Sequence, residues 1–228
     1  AIRSIFDFID QGDLVFDVGA HIGNKTSEYL KAGARIVCFE PQPNCYQKLH
    51  SRFINNENVT VESVGLSTRT GVMELKVCSS ANTISTFSET WENQSRFSKR
   101  GYKWDKSILV PITTLDNMIK KHGTPQFCKI DVENGEYDVL QGLSTLIPIV
   151  SIEFTAELFK CTVQCVDRLS QLGYKHFNFT SSENPNFVLK SWCSKEELIQ
   201  EILNYNLSYH LAENDLLWGD IYAYYQED

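Results

Sequence analysis

The sequence has no excess of basic residues: 21 Lys and Arg stand against 29 Asp and Glu, for a net charge of −8. Nucleic-acid binders usually carry a basic field, so no nucleic acid is expected as a partner. No apolar run is long enough to cross a bilayer, so no membrane span is expected. The first nine residues, Ala1 to Ile9, alternate too much for a signal peptide and read as a short amphipathic helix. Among 7 cysteines and 5 histidines there is no Cys-x-x-Cys and no His pair at ligand spacing, which argues against zinc. The cysteine count is odd, Cys38 and Cys128 fall inside apparent strands, and Cys161 and Cys165 have helical spacing. Buried, reduced thiols in a cytoplasmic protein are therefore expected. There is no repeat and no low-complexity linker, so residues 1–228 are expected to form one domain. The first residue is not Met, so the sequence reads as part of a longer gene product.

What is present is a rhythm of strand and helix. The apolar segments Leu14 to Gly19, Arg35 to Pro41, Val59 to Ser67, Phe127 to Glu133 and Ile149 to Thr155 read as strands. Helical patterns follow the first, second, fourth and fifth, the last from about Val163 to Leu172. Strands that are apolar on both faces and alternate with helices imply a mostly parallel, doubly wound sheet covered on both sides. His176 to Thr180 and Gly219 to Tyr225 are shorter, richer in aromatics, and fit an antiparallel edge. The rhythm breaks at residues 78–106, a polar and aromatic insertion between two strand-like segments, which suits a functional loop or lid.

The stretch "LVFDVGAHIGNKT" ends a strand in an acid, Asp17, followed by Gly19 and Gly23. In an open parallel sheet the ligand crevice lies at the carboxyl ends of the strands. Gly19 allows a tight turn and Gly23 close helix packing on the strand. The dinucleotide pattern Gly-x-Gly-x-x-Gly fits poorly, because His21 and Asn24 stand where glycines are needed. Asp17 would also repel a pyrophosphate. S-adenosylmethionine has no phosphate and carries a sulfonium and an ammonium, which removes the conflict. Glu40 ends the second strand 23 residues after Asp17, where an acid accepts hydrogen bonds from ribose hydroxyls. Asn24-Lys25-Thr26 is formally a glycosylation sequon, but a glycan in this loop would block the site.

Four segments, "FDVGAHIGNKT", "CFEPQPNCYQKL", "VPITTLD" and "KIDVENGEYDVLQGL", together resemble the FkbM-type methyltransferases in order and spacing, over roughly Asp13 to Phe154. The resemblance implies a class I methyltransferase fold (Rossmann-like, with a seven-stranded sheet and an antiparallel edge strand). It also implies an S-adenosylmethionine donor and O-methylation of sugar or polyketide hydroxyls. By position it implies cofactor contacts from Asp17, Gly19, Ala20, His21 and Gly23, with Thr26 lining or capping the helix. Glu40 would hold the ribose, Gly65 and Leu66 would lie near the adenine, and Asp131 and Glu133 would face the methyl. One departure is Asn134, which stands where the family has Gly; Gly135 follows, so the positive-φ residue of the turn is expected to shift by one.

An aliphatic hydroxyl is a poor nucleophile near neutral pH, so a base should take its proton or a metal should lower its pKa. Asp131 is the first candidate base, with Glu133 and His21 next. Glu133 has an alternative as an ion-pair partner of Lys129, and Asp131 as a helix cap. Asp131, Glu133 and Glu153 also form an oxygen set of the kind Mg2+ takes, which keeps metal assistance open. In the insertion, Arg96, Lys99, Arg100, Lys103 and Lys106 recur at three- or four-residue spacing and would share a helix face. Interleaved Trp91, Tyr102 and Trp104 would stack on sugar faces. With Arg100 and Glu153 they make the candidate acceptor site for a small molecule or glycan, an anionic one such as a sugar nucleotide or phosphorylated glycan being one option; the alternative is a solvated basic face over a small aromatic cluster. The competing readings are an NAD-dependent dehydrogenase or epimerase and a non-catalytic Rossmann-like binding module. Tyr102 and Lys106 have dehydrogenase spacing but lie in the insertion.

Overall fold

The computed structural model describes residues 3–213 and 215–226. Ala1 and Ile2 of the expected N-terminal helix, and the last two residues of the expected 1–228 domain, lie outside the described residues. Within the described part of that stretch, Ile5–Phe8 form a single 3-10 turn rather than an amphipathic helix. The elements that follow are β1 (Leu14–Val18), α1 (Asn24–Lys31), β2 (Arg35–Phe39), α2 (Pro43–Phe53), β3 (Val59–Glu62), β4 (Gly65–Leu66) and β5 (Gly71–Val77). Then come α3 (Glu89–Gln94), α4 (Arg96–Lys99), β6 (Lys106–Thr113), α5 (Leu115–His122), β7 (Phe127–Ile130) and α6 (Glu136–Gln141). The chain continues through β8 (Ile149–Thr155), α7 (Phe159–Leu172), β9 (His176–Phe179), α8 (Lys195–Glu213) and β10 (Trp218–Tyr224).

The main sheet has seven strands in the order β3-β2-β1-β7-β8-β10-β9. All of its pairings are parallel except those of β10, which runs antiparallel to both β8 and β9. The antiparallel strand thus enters one place in from the edge. The sheet is wound on both faces because its central strands are apolar on both. Val15, Ile36, Cys38 and Phe127 pack with Tyr29 of α1 and Leu49 and Phe53 of α2. Phe16, Val18, Phe39 and Ile130 pack with Leu115, Val139, Val166 and Leu198 from the other face.

The expected third strand, Val59 to Ser67, is two strands. β3 stays in the main sheet, whereas β4 joins a second sheet ordered β4-β6-β5. β5 and β6 are antiparallel, from Gly71↔Ile112 to Val77↔Lys106, so the insertion is the tip of a hairpin. Helix α7 begins at Phe159, earlier than its sequence pattern indicated. Among the described residues no helix is long and apolar enough to cross a membrane, and all seven cysteines are free.

Candidate active site

The carboxyl ends of β1, β2 and β7 open onto a cleft of about 520 Å3. Its first wall is the turn after β1. Gly19 adopts φ 83°, and its N–H and that of Ala20 both donate to the Phe39 carbonyl, at 3.0 and 3.2 Å. A Cβ on Gly19 would overlap the Asp131 carbonyl oxygen, so glycine is required here both for φ and for contact. His21 also sits in the left-handed region, at φ 51°. Its N–H donates to Glu40 Oε2 at 2.9 Å, and its ring Nε2–H donates to Asn82 Oδ1 at 3.1 Å.

Glu40 is 4% exposed. Its other oxygen accepts from the Gln42 N–H at 2.8 Å. Burial pushes the Glu40 carboxyl up to about 7, against the pull of those two N–H groups. Phe39, Val64, Leu66 and Phe87 supply the apolar part of the cleft. Gly65 admits the Phe87 ring, which a Cβ would meet at 3.1 Å. A buried carboxylate beside apolar walls, with no Lys or Arg in the lining, suits a ribose and a base without phosphates. The donor set therefore fits S-adenosylmethionine.

Burying Glu40 without a ligand has a cost that depends on pH. Its folded pKa is raised, so its stabilising contribution is complete below about 4.5 and lost as pH rises through about 7. The apoprotein should melt lower at pH 8 than at pH 5.5. Glu40→Gln should recover about 2 kcal/mol of that difference. Thermal melts of both proteins across this range test it; an unchanged difference in the variant would assign the effect elsewhere.

Four of the expected cofactor residues do not line the cleft. Asp17 points to the α1 side of the sheet, is 2% exposed, and accepts from Thr26 Oγ1 at 2.6 Å. It faces Lys129 across the β1–β7 register. Asp17 and Thr26 thus sit behind the loop, bonded to each other. Ala20 is buried in the α1-side core. Gly23 caps α1 with φ 84°, and its close neighbours are Leu49 and Phe53 of α2, at 2.7 and 2.5 Å from a Cβ, rather than a strand.

The far wall is the turn after β7. Lys129, 3% exposed, donates to Asp131 Oδ2 at 2.6 Å and lies 3.5 Å from Asp220 Oδ1. Its partner is thus Asp131, not Glu133. Nor does Asp131 cap a helix: α6 starts from Gly135. Glu133 and Asn134 both hold positive φ, 57° and 69°. Gly135 does not, with φ −104°, so the positive φ has not moved on to it. Asn tolerates that region, and its side chain donates to Ser88 Oγ at 2.7 Å. Oxygens of Asp131, Glu133 and Glu153 lie within 4.8 Å of one another. Burial first, then the Asp131 charge, pushes the carboxyls of Glu133 and Glu153 well above the usual range. Glu136 accepts from the Val132 N–H at 2.9 Å, and burial raises it to about 7.

The insertion roofs the cleft with Asn82, Thr83, Ser85, Thr86 and Phe87. Thr86 Oγ1 donates to the Glu133 carbonyl at 2.6 Å. The expected basic face does not form. Helix α4 ends at Lys99, and Arg96 is buried in a two-pronged pair with Glu157 at 2.8 and 2.7 Å. Arg100 pairs with Asp215 at 3.1 Å. Trp91 and Trp104 both donate to the Ile84 carbonyl and hold the insertion together. Tyr102 packs edge-on against Phe97. Of the expected acceptor residues, Trp91 and Glu153 share a second cavity, and Arg100, Tyr102 and Trp104 line neither it nor the cleft. Sequence reading missed Asn82, Thr86 and Phe87, whose polar run carries no motif, and Lys129 as a structural hub, although a lysine inside "FCKID" was its signal.

A family profile described as a methyltransferase FkbM domain matches residues 17–179. No curated protein sequence matches the chain. An rRNA methylase from Streptococcus thermophilus aligns with TM-score 0.50 at 11% identity, over 97% of this chain and 92% of that one. A precorrin-6y C5,15-methyltransferase from Geobacter metallireducens aligns with TM-score 0.49 at 10% identity, over 96% and 82%. An S-adenosylmethionine-dependent O-methyltransferase from Thermotoga maritima gives 0.48 at 8%, over 98% and 63%. The first of these shows the shared fold, and the profile covers most of the chain. The chain belongs to the FkbM methyltransferase family, which implies an S-adenosylmethionine donor.

Proposed function

We propose that the chain transfers a methyl group from S-adenosylmethionine to a hydroxyl of a sugar, glycan or similar small metabolite. The observation that carries this reading is the convergence of Asp131, Glu133 and Glu153 beside the cleft. Bound there, the cofactor supplies an electrophilic methyl on a sulfonium. Glu40 accepts the ribose hydroxyls, and Leu66 and Phe87 pack on the base. Asp131, oriented by Lys129, takes the proton of the acceptor hydroxyl, with Glu133 beside it. His21, engaged with Asn82, shapes the opposite wall. The insertion at 78–106 closes the site, and residues 1–228 act as one methyltransferase domain. Seven free thiols, five of them buried, suit a reducing compartment such as the cytoplasm.

The same convergence of oxygens favours a second reading, Mg2+ held by these three carboxylates. Calorimetric titration with S-adenosylhomocysteine and with NAD tests the cofactor. Micromolar binding of the first, none of the second, and loss in Glu40→Ala is the expected result; preference for NAD would overturn it. With labelled cofactor and a panel of hydroxyl acceptors, Asp131→Asn should lower the rate by about 10²- to 10⁴-fold. Its S-adenosylhomocysteine affinity should change less than about threefold. Insensitivity to chelator discards Mg2+. Binding with transfer to no acceptor would leave a non-catalytic module.

A further inference from the structure

Among the described residues, Glu133 and Asn134 are the only chain neighbours that both hold positive φ without being glycine. Side chains avoid that region, and asparagine avoids it less than most. Such a pair persists only where its surroundings hold it. Three bonds do so. The Val132 N–H donates to Glu136 Oε1 at 2.9 Å, within the turn itself. The other two come from the insertion, 47 and 46 residues earlier in the chain: Thr86 Oγ1 donates to the Glu133 carbonyl at 2.6 Å, and Asn134 Nδ2 donates to Ser88 Oγ at 2.7 Å.

The two insertion bonds form one linked unit. The Thr86 hydroxyl accepts from the Ser88 N–H at 2.8 Å while it donates to Glu133. Ser88 Oγ accepts from the Asn134 amide and, at 3.2 Å, from the Trp91 N–H at the start of α3. The insertion is tied to the domain on either side of this unit, by Asn82 and Ser85 to Gln42 and by Arg96 to Glu157. Between those ties, Thr86 and Ser88 fix the stretch to the turn. Thr86 and Phe87 line the cofactor cleft from above, and Asp131, Val132 and Glu133 line it from the β7 side. Asn134 lines no part of the cleft, so it acts there through these neighbours.

We infer that Asn134 is a positioning residue: its amide latches the roof of the cofactor cleft to the strained Glu133 turn, so that roof and turn open and close as one unit. The use of that unit, to gate the cofactor, rests on the methyltransferase reading. A glycine would hold φ 69° at no steric cost but would carry no amide. Asparagine accepts the backbone cost and makes a bond to the insertion. Because that bond joins two walls of the cleft, its loss makes opening more frequent without removing a cofactor contact. Entry and release then quicken together, and affinity stays nearly unchanged while the closed form dominates.

Hydrogen exchange on ligand-free wild type, Asn134→Gly, Ser88→Ala and the double variant tests the latch; glycine removes the amide and adds no strain. In Asn134→Gly, exchange should quicken by about tenfold, the worth of one hydrogen bond, both in residues 84–95 and in residues 131–137. Ser88→Ala also loses the cap of α3, so it loosens the insertion further on its own. In the Ser88→Ala background, Asn134→Gly should add less than about twofold, because its partner is gone. In stopped-flow measurements, S-adenosylhomocysteine should bind and leave Asn134→Gly about tenfold faster, with an affinity within about threefold of wild type. Unchanged exchange in residues 84–95, or loosening confined to the turn, would overturn the inference. So would full additivity of the two substitutions, or a loss of affinity without faster release. Exchange is read without cofactor, so a wild type that binds no S-adenosylhomocysteine would remove the methyltransferase reading and leave the latch to be decided by exchange.

Discussion

Replacing Lys129 with Met should cost about 3–5 kcal/mol of stability at pH 8, and much less at pH 4.5. Lys129 is 3% exposed and stands between Asp131, at 2.6 Å, and Asp220, at 3.5 Å. Burial alone would push its ammonium down. The carboxylates reverse that, with Asp131 first and Asp220 next, and hold it well above its ordinary value. A base with a raised folded pKa stabilises fully below its unfolded value and loses that contribution only as pH rises through the folded one. Between pH 4.5 and 8 the wild-type lysine therefore contributes in full. Met removes the cation and leaves the carboxyls buried. Asp17 and Asp220 are already raised by burial, with Lys129 pulling them back. Without it their folded pKa values rise further, and a raised carboxyl loses stability as pH climbs through that value. The deficit must therefore grow from acid to alkaline pH. Urea denaturation of both proteins at the two pH values measures it. A uniform loss below about 1 kcal/mol would show that Lys129 is a tolerated surface-type charge after all.

That network also marks where reading the sequence stops. The strand ends were legible because an apolar run that halts at an acid, as in "LVFDVG" and "IVCFEP", must change environment there. Glu40 is where that argument put it, directly after β2 and on the cleft, whereas Asp17 lies one residue inside the end of β1 and turns away from the cleft. Their partners were not legible. Asp17 and Glu40 look alike in sequence, yet strand alternation turns Asp17 toward Thr26 and leaves Glu40 facing the cleft. The basic spacing in the insertion failed for a local reason. Ser95 ends α3 and caps α4, and Gly101 adopts φ 89°, so no helix is long enough to line up residues 96 to 106. Helix α8 escaped notice because its apolar residues do not share one face. Leu198 and Ile202 are buried, whereas Leu203, Leu207 and Leu211 are exposed. The insertion's contribution to the cleft was hidden because Asn82 and Thr86 act through a hairpin that brings them onto Gln42 and Glu133, 40 to 47 residues away in the chain.

Gly19→Ala should abolish S-adenosylhomocysteine binding and destabilise the protein by about 3 kcal/mol. Two costs add. The left-handed φ of 83° disfavours any side chain by about 1 kcal/mol. The larger cost is contact, because the new methyl would overlap the Asp131 carbonyl oxygen and come within 3.3 Å of Val132 Cγ1. Neither neighbour can yield cheaply. The peptide that carries this carbonyl is held by the Val132 N–H, bonded to Glu136 Oε1 at 2.9 Å, and the peptide before it by the Asp131 N–H, bonded to the Val18 carbonyl at 3.0 Å, so moving it strains the β1–β7 pairing. It would also shift the Glu133 turn and break the register that brings the carboxyls together. Gly101 supplies the internal comparison, since it holds φ 89° with nothing within 4 Å of a Cβ. Gly101→Ala should lose about 1 kcal/mol and keep full cofactor affinity. Chemical denaturation and calorimetry on the two variants separate strain from contact. Equal losses in both would reduce Gly19 to a turn residue, whereas a loss of binding confined to Gly19→Ala would make the closeness of the β1 and β7 turns the structural requirement for holding the cofactor.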